Sequence, residues 1–396
     1  MSNYPVILVH GLFGWGAEDK LYAKLPYFGT SNKKEVSQNL NAKGYEIYVP
    51  SVGPILCAWD RCCELWAYLM GGTVDYGKVH SEKHGCNRYG RTYEHGVLED
   101  WGQPGNHAKI NLIGHSFGGP TVKMFQDIIA RGLQEEIDGT PAEELSDFFK
   151  ANKPQKIHSV TTLSGVNNGT TYASMSGRLG NVAISYSLLL INALIGETNI
   201  HKWWDFHTDH YNIMPDRSKV TKNKLTNPLT KMKGISAYAW NLEGSIAQEL
   251  RVEIQCDLNE TQETNPGIYY FARRACRSNV LPGRWAYLDA DGDNLCKLLC
   301  GLTSFMTFRP GLKKYGVDKT WCDNDGIVPV VGQSAPLNAP QKDYEAGETV
   351  KPGLWYNMPV ERKDHMSWAG IGEDKDTYLA YYEDMLKMLN ALPDAD

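Results

Sequence analysis

Residues 109–119 read KINLIGHSFGG, an apolar segment that runs into a glycine-x-serine-x-glycine turn at 114–118. Apolar residues then recur at helical spacing: Val122, Phe125, Ile129 and Leu133. The stretch therefore predicts a strand, a sharp corner and a helix, with Ser116 at the corner and its hydroxyl above the sheet. Small residues at Gly114 and Gly118 allow a close crossing, and the helix N-terminus favours a developing oxyanion. We expect a nucleophile at Ser116; a tight turn without chemistry is the alternative.

Other short apolar segments predict strands, with helical patterns between many of them: 6–9, 45–49, 110–113, 157–163, 268–272 and 355–360. This alternation indicates an α/β fold, in which a mainly parallel sheet carries helices on both faces. We expect the 396 residues to form a single domain, 1–396, with insertions. The glycine-rich loop at 10–16, HGLFGWG, follows the first strand, where such sheets bind ligands.

The composition excludes several classes of protein. A net charge of -6 and the absence of a run of lysines or arginines argue against a nucleic-acid partner. No segment approaches the roughly 20 apolar residues of a membrane span, so we expect no transmembrane anchor. The nine cysteines are odd in number and follow no disulfide framework. The sequence does not indicate an oligomeric state.

A serine nucleophile needs a base, and in such folds the order along the chain is serine, acid, histidine. His365 is the only histidine beyond residue 210, so a base that follows a late acid must be His365. Asp325, in the turn NDG at 324–326, is the expected acid, and Asp323 is its rival. An acid here would accept from Nδ1 of the imidazole and leave Nε2 to take the proton of Ser116. An Asx turn at Asp325 and a surface histidine at His365 are the alternatives.

An oxyanion is held by two backbone N–H groups, one of them from the residue after the nucleophile. Phe117 is that residue. For the second donor we expect Leu12, in the loop that begins with His10, and Phe13 is the alternative. A simple strand-terminating turn at His10 also fits these residues.

Several further segments jointly carry a resemblance to a known family: VHG at 9–11, GWG at 14–16, VGP at 52–54, WDR at 59–61, GGTVDYG at 71–77, YGRTY at 89–93, GHS at 114–116 and NDGIV at 324–328. The chain resembles the true lipases of thermophilic bacilli and staphylococci, which are α/β-hydrolases acting on triacylglycerols. The resemblance implies a triad of Ser116, Asp325 and His365, with an oxyanion hole from Leu12 and Phe117. The residues alone led to the same set.

The resemblance also implies a lid helix in a 172–235 insertion, which would open at a lipid surface. The apolar run at 182–195 suits a lid, and a buried core helix is its alternative. The resemblance implies secretion as well. Because the chain enters a strand soon after Pro5, we expect no signal peptide within it, and a cytoplasmic location is the alternative.

The expected metal sites depart from the family pattern. The family binds structural zinc through two aspartates and two histidines; Asp60 and His80 match, Cys86 replaces the second histidine, and the distal aspartate is absent near 234–238. Thiolate is a good zinc ligand, so one hypothesis is a rearranged site of Asp60, His80, His84 and Cys86 in a 55–105 excursion. Loss of the site is the other. A serine triad requires no cofactor for its chemistry.

The family's calcium site uses a glutamate and an aspartate after the catalytic histidine. This chain has Ser367 and Gly372 there, so we expect that site to be missing or altered. The acidic segment DADGDN at 289–294 lacks the spacing of an EF-hand loop, which favours an ordinary acidic turn.

These observations predict a carboxylic ester hydrolase, and the resemblance narrows it to a triacylglycerol lipase acting at an oil–water interface. A phospholipase and a short-chain carboxylesterase are alternatives of the same class. A catalytically silent binding protein of the hydrolase fold is the alternative of another class.

Overall fold

The structure is a computed structural model that describes residues 3–175, 203–207, 209–211, 245–280, 286–288 and 310–395. Its strands are β1 (Val6–Val9), β2 (Ile47–Tyr48), β3 (Gly72–Asp75), β4 (Tyr89–Tyr93), β5 (Lys109–His115), β6 (Lys156–Leu163), β7 (Tyr269–Arg273), β8 (Ser278–Val280), β9 (Ala286–Leu288), β10 (Gln341–Asp343) and β11 (Trp355–Asn357). Seven of them form a central parallel sheet in the order β10-β11-β7-β6-β5-β1-β2. The predicted α/β architecture is thus confirmed.

The described α-helices are α1 (Val36–Asn41), α2 (Ala58–Met70), α3 (Lys78–His84), α4 (Gly118–Arg131), α5 (Gln134–Gly139), α6 (Ile246–Glu249), α7 (Val252–Thr261), α8 (Val330–Gln333) and α9 (Lys375–Asn390). Short 3₁₀ helices span Ala173–Met175, Asp209–Tyr211, Pro310–Tyr315, Lys319–Cys322 and His365–Ala369. The helix predicted after Ser116 is α4, and its last residue lies near the predicted end.

The core lies in two layers, one on each face of the sheet. On one face α2 and α4 pack against the sheet through buried side chains such as Leu65 and Phe125. On the other face α1 and α9 do so, with Leu40 and Leu386 among the buried residues. Helices on both faces explain why consecutive residues of the central strands are buried, as all four residues of β1 are.

The predicted strands are present with small shifts of their ends, and the sequence-based prediction missed five short strands: β3, β4, β8, β9 and β10. The sheet-edge strand β10 reads QKD, and polar residues are usual at an edge because one side faces water. The β3–β4 hairpin pairs antiparallel within the 55–105 excursion, together with α2 and α3. Apart from 172–175, 203–207 and 209–211, the predicted 172–235 insertion and its apolar run lie outside the described residues.

Neither a disulfide nor a membrane-spanning helix is found within the described residues. The cysteines of the described ranges form no disulfide with one another. Among the described helices, none combines the length and the apolar character that crossing a membrane requires.

The corner between β5 and α4 leaves no room for side chains. A Cβ atom at Gly114 would lie 2.3 Å from the carbonyl oxygen of Gly118, and one at Gly118 would lie 2.3 Å from that of Val9. Real Cβ atoms do not approach backbone oxygens so closely, so the two glycines are required by contact. This close crossing places Ser116 over the carboxyl end of β1.

Gly114→Ala should therefore lower the free energy of unfolding by about 1–3 kcal/mol, as overpacking of a rigid site does. The matched control is Gly311→Ala, because a Cβ there meets nothing within 4 Å. We expect Gly311→Ala to be neutral or slightly stabilising. Urea unfolding of both variants measures the difference, and equal stabilities would refute the steric argument.

Candidate active site

Ser116 has a backbone conformation that few non-glycine residues adopt, with φ +57°. Its N–H donates to the carbonyl of Leu163 (3.0 Å), and its own carbonyl accepts from Gly119 (2.9 Å) and Val166 (3.2 Å). Gly11 approaches so closely that a Cβ there would lie 2.6 Å from Cβ of Ser116. These contacts hold the strained corner and aim the hydroxyl in one direction.

The imidazole of His365 joins Ser116 to an acid. Its Nε2 lies 2.8 Å from Oγ of Ser116, and its Nδ1 lies 2.7 Å from Oδ2 of Asp325. An ionised carboxylate only accepts, so Nδ1 carries the hydrogen and Nε2 can accept from the serine hydroxyl. Asp325 is fully buried, His365 is 2% exposed and Ser116 is 8% exposed. The arrangement can therefore deprotonate a serine in a place largely screened from water.

Asp325 has both of the roles that the sequence left as alternatives. Its Oδ1 accepts from the N–H groups of Ile327 (3.0 Å) and Val328 (2.8 Å), which is an Asx turn, while Oδ2 faces His365. The backbone N–H of His365 also donates to the carbonyl of Asp325 (2.9 Å). The rival Asp323 is exposed, and the structure does not bring it to the imidazole.

The loop after β1 distinguishes the two candidates for the second oxyanion donor. The N–H of Phe13 donates to the carbonyl of Pro54 (2.9 Å), so it is already used. Among described acceptors, none receives the N–H of Leu12 or that of Phe117. Of the two candidates, Leu12 therefore has the N–H that a bound oxyanion could use.

Arg61 supports this loop, and the sequence-based prediction did not assign it a role. Its guanidinium is fully buried, donates through Nη2 to the carbonyl of His10, and lies 5.5 Å from the ring centroid of Phe117. Burial lowers the pKa of Arg61 to about 10 in spite of the nearby Glu64, so it stays charged at neutral pH. The only sequence signal that Arg61 has a role was its place in the WDR segment at 59–61, one of the segments that carry the resemblance.

A cleft of about 810 Å³ opens above Ser116 and His365. Its lining is mostly apolar and includes Leu12, Phe13, Val166, Ala247, Leu250 and Ile327. A volume of this size accommodates a ligand as large as a drug molecule or an acyl chain. The cleft therefore suits a substrate with an extended apolar part.

The side chains that the structure brings together and that could hold a metal ion differ from the predicted set. Ligand atoms of Cys57, Asp60 and His80 lie within 4.8 Å of one another, and all three residues are buried. Oδ1 of Asp60 and Nε2 of His80 are 3.2 Å apart, which is ion-pair distance, and neither atom makes a well-aligned hydrogen bond in the described ranges. Oxygen, nitrogen and sulfur donors of this kind fit zinc. The other oxygen of Asp60 faces Nε2 of His210 (3.1 Å) and accepts from Tyr211 (3.1 Å).

The prediction that His84 and Cys86 share this group is not supported by their positions. Neither completes a cluster with Asp60 and His80 among the described residues. His84 lies one helical turn beyond His80, and its ring packs on the His80 ring with centroids 4.3 Å apart. Gly85 then ends the helix in a left-handed conformation, and the N–H of Cys86 donates to the carbonyl of Ser81 (3.1 Å). Cys57, at the start of α2, is the residue that the prediction missed.

The loop that follows His365 is held by protein groups where the resemblance implies a calcium site. Nζ of Lys34 donates to the carbonyls of Gly370 (2.6 Å) and Glu373 (3.0 Å). Ser367 donates from its hydroxyl to Asp364 (3.2 Å). An altered calcium site remains a prediction, and the acidic segment at 289–294 lies outside the described residues.

Comparisons with known proteins identify the family of this chain. Residues 2–392 match the family model described as "Lipase-like, C-terminal domain". A lipase of Staphylococcus epidermidis is 30% identical over 93% of this chain, and lipase 1 of Staphylococcus aureus is 29% identical over 98%. The match covers 50% and 54% of those two relatives, so the chain spans about half of their length.

Two solved structures are similar over nearly the whole chain. Staphylococcus hyicus lipase is 27% identical with a TM-score of 0.84, covering 98% of this chain and 95% of that one. EstA from Clostridium botulinum is 30% identical with a TM-score of 0.83, covering 100% and 90%. These similarities confirm the predicted α/β-hydrolase fold and the predicted family.

Asp325→Asn should lower the rate of ester hydrolysis by about 10⁴-fold, because an amide beside Nδ1 favours the tautomer that cannot accept the serine proton. Asp323→Asn is the matched control in the same turn and should have little effect. Steady-state kinetics on a soluble ester measure both. A large loss in Asp323→Asn with none in Asp325→Asn would move the acid to Asp323.

Proposed function

Because the chain belongs to the family of lipase-like C-terminal domains, we propose that it hydrolyses carboxylic esters through an acyl-enzyme intermediate on Ser116. One observation carries the proposal: His365 hydrogen-bonds to Oγ of Ser116 at 2.8 Å and to Asp325 at 2.7 Å, beneath an apolar cleft. A binding protein would have no need for a strained serine aligned with a buried base and acid.

The reaction follows from the positions of these groups. Nε2 of His365 takes the hydroxyl proton while Oγ of Ser116 attacks the ester carbonyl, and Asp325 stabilises the imidazolium that forms. The N–H groups of Leu12 and Phe117 donate to the oxyanion. Nε2 then gives its proton to the leaving alcohol, and the ester bond breaks. The acyl group stays on Ser116 as the acyl-enzyme. A water molecule gives a proton to Nε2 of His365 and attacks the acyl carbonyl. The second tetrahedral intermediate then expels Oγ of Ser116, which takes the proton back from Nε2, and the carboxylic acid leaves.

Within this class we propose a triacylglycerol lipase that acts at an oil–water interface. The apolar cleft of about 810 Å³ has room for an acyl chain of some length. The relatives from two staphylococci carry the name lipase. A short-chain carboxylesterase and a phospholipase are the competing activities. Action on lipid outside the cell agrees with secretion, and we propose that the protein is secreted.

We propose further that Cys57, Asp60 and His80 hold a zinc ion. Bound there, the ion would supply a structural tie between α2 and α3 and no part of the ester chemistry. The fit rests on three buried donors and on two of their atoms, Oδ1 of Asp60 and Nε2 of His80, which face each other at 3.2 Å without a well-aligned hydrogen bond in the described ranges.

Ser116→Ala should abolish ester hydrolysis and leave the melting temperature near that of the parent protein. The hydroxyl is the nucleophile, and its removal empties no part of the core. An organophosphonate should label the parent chain once, at Ser116, and leave the variant unlabelled. Retained turnover in Ser116→Ala would end the proposal.

A chain-length series distinguishes lipase from esterase. We expect rates on p-nitrophenyl esters to hold or rise towards long acyl chains, because each buried CH₂ contributes about 0.8 kcal/mol of binding. On a single triglyceride the rate should jump as the substrate passes from monomer to emulsion. A preference for the shortest chains and a smooth rate through the solubility limit would indicate a carboxylesterase; preferential release from phosphatidylcholine would indicate a phospholipase.

Metal analysis of protein purified without added ions tests the zinc proposal. We expect one zinc per chain, a lower melting temperature after chelation, and a thiolate-to-metal charge-transfer band after exchange with cobalt. Cys57→Ser should remove that band, and Cys86→Ser is the matched control that should retain it. No stoichiometric metal and no effect of a chelator on melting would refute the site.

A further inference from the structure

Buried side chains link the three segments that carry the reacting groups. The N–H of Gly11 donates to the hydroxyl of Tyr27 at 3.2 Å. That hydroxyl lies 2.8 Å from Nδ1 of His115, and Nε2 of His115 lies 2.9 Å from the backbone carbonyl of His365. Tyr27 is 5% exposed and His115 is fully buried. The contacts form one continuous line of hydrogen bonds through the protein interior.

Only one arrangement of hydrogens satisfies this line. The carbonyl of His365 can only accept, so Nε2 of His115 must carry a hydrogen. Burial, followed by the neighbouring His365, lowers the pKa of His115 well below its usual value, so the ring is neutral and Nδ1 accepts. Tyr27 therefore donates to Nδ1, which leaves its oxygen to accept from Gly11. Among the described residues, each donor and each acceptor of this line then has one partner.

The line connects the parts whose relative positions matter for the reaction. Gly11 directly precedes Leu12, one of the proposed oxyanion donors, and His115 directly precedes Ser116. The ring centroids of His115 and His365 are 5.0 Å apart. A neutral His115 therefore anchors the backbone of His365 without repelling the imidazolium that forms during the reaction.

We propose that Tyr27 and His115 are positioning residues, which fix the oxyanion loop and the catalytic histidine relative to the nucleophile. The proposal rests on the ester-hydrolase function proposed above. Neither side chain exchanges a proton with the substrate. Their contribution is to hold the reacting groups at attack distance, where small displacements carry large losses of rate.

Tyr27→Phe removes the hydroxyl and keeps the ring that lines the cleft. We expect kcat per phosphonate-titrated site to fall about 10- to 100-fold, the effect of a displacement near 1 Å, with KM little changed. Tyr270→Phe is the matched control. Its buried hydroxyl also accepts from a backbone N–H, that of Asn265 (2.9 Å), and donates to a side chain, Gln126 (2.9 Å), but away from the cleft. The two variants should lose similar stability.

A second pair of variants divides the line into its two halves. His115→Gln can offer an N–H near the former Nε2 position and keep the bond to His365. His115→Asn can offer an oxygen near the former Nδ1 position and keep only the bond to Tyr27. We expect kcat to be higher in His115→Gln than in His115→Asn, because the contact with the histidine loop is the one that aligns the base.

The outcomes separate this proposal from the function on which it rests. If the parent chain neither reacts with phosphonate nor hydrolyses esters, the ester-hydrolase function fails and the positioning roles fail with it. If the parent chain is active and Tyr27→Phe matches Tyr270→Phe in kcat per titrated site, the positioning role of Tyr27 is overturned. Should Tyr27→Phe not fold, equal kcat values for His115→Gln and His115→Asn would overturn the proposal.

Discussion

The crowding around Ser116 constrains the rest of this molecule. With φ at +57° and Gly11 in contact with its Cβ, Ser116 occupies a corner that only close backbone packing can hold. Gly114 and Gly118 provide that packing, because a Cβ at either position would meet a backbone oxygen at 2.3 Å. The two core layers on the faces of the sheet supply the burial that offsets such local strain. The direction of the serine hydroxyl is thus set by backbone geometry, before any catalytic partner is considered.

The partners of Ser116 are then positioned by buried polar groups that hydrogen-bond to the backbone. Asp325 accepts backbone N–H groups through one oxygen and faces His365 through the other, so a turn and an acid are the same residue. Arg61 and His115 are fully buried and bond to the backbone carbonyls of His10 and His365. In a low-dielectric interior such bonds are strong, and a missing partner is costly. Buried hydrogen-bond networks of this kind favour one arrangement of the catalytic side chains over alternative arrangements.

Much of the architecture was accessible from local patterns. Six apolar segments predicted six of the seven strands of the central sheet, and helical spacing after Ser116 predicted α4. The strand β10 escaped prediction because QKD has no apolar periodicity. Of the side chains that the sequence offered as metal ligands, Asp60 and His80 lie together, and the sulfur beside them is that of Cys57. His84 and Cys86 follow His80 closely in the chain, but neither forms a cluster with Asp60 and His80 among the described residues.

The sequence by itself determined the strand–corner–helix unit around Ser116 and the order in which acid and histidine must follow. These follow from periodicity, glycine and turn chemistry, which act between neighbours in the chain. Only the tertiary structure decided which atoms meet. The bonds of His365 to Asp325 and to Ser116 span 40 and 249 positions, and the contact of His115 with the His365 carbonyl spans 250. No local pattern encodes such pairs, because they form only when packing of the sheet and its loops brings distant segments within hydrogen-bond distance.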